Sequence, residues 1–156
     1  MPIYRSWNDL VNKLQKAVNS AQAREVSELI KNKMKQEYNE EVYSYNYDST
    51  YRDRRNSLID NKNIVSTVDE DGTLFVENIA SPDISVLGTT IASENQNLLS
   101  QWIEDGNITN IFNDKTDYVW TEPRPVIQNV IDSIEKSKSH IEALKKGLKR
   151  QKIDFE

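Results

Sequence analysis

Apolar residues recur in steps of three and four along the N-terminal segment: Trp7, Leu10, Val11, Leu14, Val18, Ala21, Val26, Leu29, Ile30 and Met34. That spacing lays one stripe along a helix. Lys13, Lys16, Arg24, Glu28, Lys31 and Lys35 fall on the opposite side. Ser6 precedes Asp9 by three positions, an acceptor and an acid at the positive end of the helix. The pattern predicts a helix from Trp7 to Tyr38. A second stripe runs through Val126, Ile127, Val130, Ile131, Ile134, Ile141, Leu144 and Leu148, opened by Pro123-Arg124-Pro125, where proline suits the first helical turn. Leu14 and Ile131 read as core positions at which the two helices meet.

Between the stripes the period changes. Ile64, Val65, Thr67 and Val68 lead through Asp69-Glu70-Asp71-Gly72 into Thr73, Leu74, Phe75, Val76 and Ile79. Two β-rich runs around an acidic loop ending in Gly read as a hairpin. A third run spans Ile84 to Ile91 after Pro82, and 107–122 read as a loop with a short strand. Ser93-Glu94-Asn95-Gln96 has the form of a capping box, followed by Leu98, Leu99, Trp102 and Ile103, with Gly106 placed to stop the helix. The predicted fold is α+β: a small antiparallel sheet packed against two long helices, with a short inserted helix, in a single domain over 1–156. Residues 39–56 read as an extended Tyr- and Arg-rich arm, because Tyr43, Tyr45 and Tyr47 alternate. Residues 149–156 read as a flexible basic tail.

Composition narrows the chemistry. The chain has 156 residues, no Cys and a single His. Thiolate sites, disulfides and a His-based metal cage are excluded within one chain. His140 reads as an edge residue with no obvious partner to orient it as a base. With four Gly there is neither a phosphate-cradling loop nor a nucleophile elbow. Asp69, Glu70 and Asp71 form the densest acidic cluster and read as a solvated turn rather than a metal site. No cofactor, no metal and no catalytic residue is expected, and no apolar run approaches the ~20 residues of a membrane span.

Charge is segregated. Residues 1–38 hold seven basic and four acidic side chains, 39–122 hold five and sixteen, and 123–156 hold eight and five. A face this acidic disfavours general duplex binding, and it suits electrostatic complementarity between subunits or an acidic channel wall. Tyr51-Arg52-Asp53-Arg54-Arg55 can pair with neighbouring acids or contact a partner or polyanion. The candidate subunit interface comprises Tyr43, Tyr45, Tyr47, Tyr51, Arg52, Arg54, Arg55 and Arg124, since Tyr and Arg are enriched at interfaces.

Three stretches carry a resemblance: Tyr47 to Ile64, Leu98 to Asn107, and Glu122 to Ile134. Together they resemble the tail-completion, or minor head–tail joining, family of tailed bacteriophages. There an Arg-containing segment ends in a small residue, Leu and a polar residue, where Arg54, Arg55, Asn56, Ser57 and Leu58 stand here. A later segment ends in Glu-x-Gly, matched by Glu104, Asp105 and Gly106, and an Arg-Pro pair matched by Arg124 and Pro125 opens the last helix. Asn56 replaces the family's usual Gly, and Val126 its usual Phe. The resemblance implies a virion structural protein of the neck or tail end. It further implies a ring of like subunits (a hexamer), neck, connector and tail proteins as neighbours, DNA only as passing cargo, and assembly in the host cytoplasm. Competing readings are a small α+β adaptor and, less well supported, a carboxylate–metal hydrolase.

Overall fold

The computed structural model describes residues 6–44, 58–80, 99–105 and 123–153. The elements are α1 (Trp7–Ala21), a π-helical turn (Gln22–Val26), α2 (Ser27–Tyr38), a second π-helical turn (Asn39–Tyr43), β1 (Ile64–Val68), β2 (Leu74–Asn78), α3 (Leu99–Asp105), α4 (Val126–Ser137) and α5 (Ser139–Arg150). This is the α+β class expected, with two helical stretches, a short inserted helix and a small antiparallel sheet. The chain divides into two compact units. One holds 1–32, 66–76 and 133–156; the other holds 33–65 and 77–132.

The first helical stretch begins as its sequence dictates. Ser6 is extended and its hydroxyl accepts from Asp9 N at 3.2 Å. Buried positions then fall at Ala17, Ala21, Val26, Met34, Tyr38 and Val42. The step from Ala21 to Val26 is one residue too long for an α-helix. The first π turn sits there and absorbs the extra residue, which keeps the stripe facing inward. Widening the turn frees carbonyls, and side chains take them. Ser27 Oγ donates to Ala23 O at 2.7 Å and to Arg24 O at 3.2 Å. At the second π turn Ser44 Oγ donates to Glu40 O.

In the first unit α5 runs antiparallel to α1: Gly147 faces Ala21, and Gln151 Nε2 donates to Ala17 O at 2.8 Å. Ala17, Ala21 and Leu148 are the buried centre, with Val18, Leu144 and Ile153 packed around them. Gly147 permits that approach, since a Cβ there would stand 2.5 Å from Ala21 Cβ and 2.6 Å from Glu25 Oε2. Arg150 Nε closes the contact on Glu25 Oε1 at 2.7 Å, and that guanidinium holds the Glu25 carboxyl below its usual range.

The hairpin turn packs on the same helix. Asp69 N donates to Thr73 O at 3.0 Å, leaving Glu70, Asp71 and Gly72 as the loop. Gly72 has φ +84°, the left-handed position that a three-residue loop reserves for glycine. Asp69 Oδ1 accepts from Thr73 N at 2.7 Å. A Cβ on Gly72 would meet Gln15 Nε2 at 2.8 Å and Asn19 Oδ1 at 3.0 Å.

Several expectations change here. The last helix breaks at Lys138, which adopts φ 52° in the left-handed region. Its N-terminal half leaves Ile131 43 % exposed, and α1 packs against the C-terminal half instead. Leu14 is only half-buried, and Trp7, the first residue of the apolar stripe, is 75 % exposed. Pro125 lies before α4 rather than within its first turn: its carbonyl accepts from Asn129 N at 2.9 Å. Tyr43, expected to open an extended run, closes the second π turn. The strand read over Ile84 to Ile91, the capping box at Ser93, Gly106 and the 107–122 segment lie outside the described residues.

Candidate functional site

Of the residues that carry the sequence resemblance, Glu104, Asp105, Arg124 and Pro125 are described in the second unit. The problem they solve is local. Pro125 occupies the cap position of α4, yet proline has no side-chain acceptor for the free N–H groups of the first turn. Glu104, at the end of α3, supplies one: its Oε1 accepts from Ile127 N at 2.6 Å. Arg124 N donates to Ile103 O at 2.9 Å, so backbone and side chain both join the end of α3 to the start of α4. Glu104 and the Arg124–Pro125 pair, separate in sequence, meet in space.

Arg124 reaches further, its guanidinium donating to Glu41 O in the second π turn. A cation there suits the negative end of a helix. It also stands where Glu37, Glu40 and Glu41 accumulate charge. Burial, reinforced by Glu40 and Glu41, holds the Glu37 carboxyl above its ordinary range.

Behind Glu104 lies a buried polar layer. Tyr38 is fully buried at the end of α2, with Ser100 and Asn78 beside its hydroxyl. Burial raises the phenol's pKa, and the Glu104 charge raises it further. Asn78 is buried and fully engaged: Nδ2 donates to Leu58 O at 2.8 Å, Oδ1 accepts from Ala80 N at 3.0 Å, and its carbonyl accepts from Ser100 Oγ at 3.4 Å. Burial holds the Glu104 carboxyl above the usual range, against the pull of the Ile127 and Val126 N–H groups, and Asp105 adds to the rise.

Of the sequence-predicted interface residues, Arg124 and Tyr43 are described, both half-buried in the second unit. Tyr45, Tyr47, Tyr51, Arg52, Arg54 and Arg55 lie outside the described residues. Asp69, Glu70 and Asp71 are exposed at the hairpin turn. Among the described residues no cluster of His, Asp and Glu is placed to hold a metal, and no helix is long and apolar enough to cross a membrane. Sequence reasoning missed Asn78, which looks like an ordinary strand-end polar residue, and the capping role of Glu104. The one signal for the latter was a proline-opened helix with no Ser, Thr, Asp or Asn at its cap.

The model of the family described as YomN matches residues 6–150. No curated protein and no solved structure matches the chain.

Proposed function

This chain belongs to the YomN family, a phage-derived family of the SPβ type, and from that premise we propose that it is a non-catalytic virion subunit of the neck or tail end. In this reading it forms a ring with its own copies and joins head to tail, with DNA passing through. One observation carries the proposal: the residues that resemble the head–tail joining family occur in order along the chain, and Glu104 and Arg124 meet at one junction, where both are spent on backbone groups. Glu104 caps α4 and Arg124 ties it to the second π turn. Groups committed to helix ends hold a shape, which is what an assembly subunit requires.

The test is genetic and compositional. Phage lacking the chain should accumulate filled heads and separate tails, and mass spectrometry should find the chain in purified complete particles. Changing Asp69, Glu70 and Asp71 together to Asn should leave particle yield unchanged. Complete infectious particles without the chain would refute the reading, as would a metal-dependent hydrolysis lost in that triple variant.

A further inference from the structure

The outer side of α5 carries a run of lysines. Lys138, Lys145, Lys146, Lys149 and Lys152 are all exposed, and the run is about 20 Å long at helical rise. At roughly 100° per residue, Lys145, Lys146 and Lys149 fall within one arc of about 100°, on the side turned away from the contact of Gly147 with Ala21. Glu142 is the one acid between Lys138 and Lys152, and it pairs with Lys145 at 3.1 Å. Arg150 is drawn off to Glu25. Among the described residues Lys138, Lys146, Lys149 and Lys152 have no ion-pair partner.

Two of these lysines stand where the backbone disfavours them. Lys138 (φ 52°) and Lys152 (φ 61°) are the non-glycine residues in the left-handed region among those described. Lys152 follows the cap of α5 in a Schellman motif: Ile153 N donates to Leu148 O at 3.1 Å and Lys152 N to Lys149 O at 2.9 Å. That position usually falls to glycine. Glycine would relieve the strain at both sites. The helix dipole does not explain the choice of lysine. Lys136 in α4, and Lys149 and Arg150 in α5, already place cations in the last turn of each helix. What lysine adds at 138 and 152 is an extension of the charged face at either end.

We propose that the lysine face of α5 binds the phosphate backbone of double-stranded DNA. The residue types select that occupant. Protein interfaces favour Tyr, Trp, Phe and Arg and are depleted in Lys, whereas this face offers lysines with Glu142 between them. A lipid surface calls for Trp or Phe beside the cations, and α5 has neither. Point charges on flexible stems meet phosphates without reading bases, so the contact is independent of sequence and lets the duplex slide. That suits DNA in transit, and the choice of DNA rests on the neck reading above. The net charge of −5 opposes the approach. The contact is therefore weak for one chain and gains from several copies around one duplex.

Fluorescence anisotropy of a short labelled duplex of arbitrary sequence, titrated with the full chain at low salt, tests it. With about four phosphates engaged, a roughly fourfold rise in salt should weaken binding by about 100-fold. K146Q/K149Q should lower the slope of log K against log salt by about 2. K138G/K152G should do the same while leaving Tm unchanged or raising it by up to about 8 °C, which separates lost binding from lost folding. No binding at low salt, or a slope that neither variant alters, would overturn the inference, as would tighter binding to phosphatidylglycerol vesicles than to the duplex. Altered self-association with unchanged duplex binding would assign the face to a second copy instead. The two readings fail separately. If complete particles hold the chain and it does not bind duplex, only this inference falls. If complete particles lack the chain, the neck reading falls whatever the duplex shows.

Discussion

Gly147→Ala is the sharpest probe of how the first unit is held together. Position 147 is buried within α5, where alanine would ordinarily favour the helix by about 1 kcal/mol over glycine. The added methyl, however, would stand 2.5 Å from Ala21 Cβ, 2.9 Å from Ala21 Cα and 2.6 Å from Glu25 Oε2. Carbon atoms prefer separations near 3.5–4.0 Å, so the two helices must part by roughly 1 Å. The Ala21 backbone cannot swing aside as the tip of a flexible side chain can. Parting the helices loosens Leu148 and Leu144 against Ala17 and Ala21 and stretches the 2.7 Å Arg150–Glu25 contact. Overpacking costs about 1–3 kcal/mol, and three contacts this short put this site in the upper part of that range, at about 2–3 kcal/mol. After the helical gain, the net loss should be about 1–2 kcal/mol, a fall in Tm of roughly 2–8 °C for a chain of this size.

Urea denaturation of Gly147→Ala, Ala21→Gly and the double variant separates the terms. Ala21→Gly alone loses about 1 kcal/mol of helix propensity. In the double variant the contact with the Ala21 methyl is gone while those with Ala21 Cα and Glu25 Oε2 remain, so the double loss should fall short of the sum of the single losses by at least about 0.5 kcal/mol. A stabilised or neutral Gly147→Ala, or strictly additive losses, would refute the close approach of α1 and α5.

Glu104→Gln keeps an acceptor for Ile127 N and removes the charge. Because the folded carboxyl pKa is raised, Glu104 opposes folding increasingly as pH climbs from its unfolded value through its folded one; the variant should therefore be the more stable at pH 7, with the gap closing toward pH 4, and a gap constant with pH in denaturant titrations would refute this. Glu104→Ala, which loses the acceptor as well, should cost about 0.5–2 kcal/mol relative to Gln. Asn78→Ala strands the Leu58 carbonyl and the Ala80 N–H in a buried place, so thermal unfolding should show a loss of about 2–4 kcal/mol. Lys138→Gly should be neutral or stabilising by up to about 1 kcal/mol, because φ 52° strains a lysine, whereas Lys146→Gly inside α5 should cost about 1 kcal/mol; equal losses at both sites would contradict a left-handed Lys138.

The elements whose signals are local were readable from the chain. Ser6 before Asp9 marked the start of α1, and Asp69-Glu70-Asp71-Gly72 marked the hairpin, because a left-handed glycine and a capping hydroxyl need no distant partner. The π turn was latent in the apolar spacing, as the five-residue step from Ala21 to Val26, which a search for steps of three and four passes over. The break at Lys138 had no signal, since lysine neither favours the left-handed region nor ends helices. Trp7 and Ile131 were assigned to the core because periodicity identifies a stripe, not how far along it a partner reaches; α1 outruns α5, and its first turns stay open. The head–tail resemblance named Glu104 and Arg124 without their roles, because a cap supplied from another helix is a tertiary fact.

Those roles explain why short, scattered residues can mark a fold of this kind. A helix interrupted by two π turns and a helix begun by a proline each leave backbone groups without intrahelical partners. Left buried and unpaired, each such group costs about 1–3 kcal/mol. Ser27 and Ser44 repair their own turns from nearby in sequence, and such local repairs can shift along a helix as the sequence drifts. Arg124 and Glu104 repair theirs across the unit, so each must be the right length and charge at one position. Lysine at 124 would reach with a single flexible ammonium rather than a planar fork, and aspartate at 104 would fall short of Ile127 by one methylene. The residues with least freedom are thus those that close one element's backbone with another element's side chain, and in this chain they coincide with the motif.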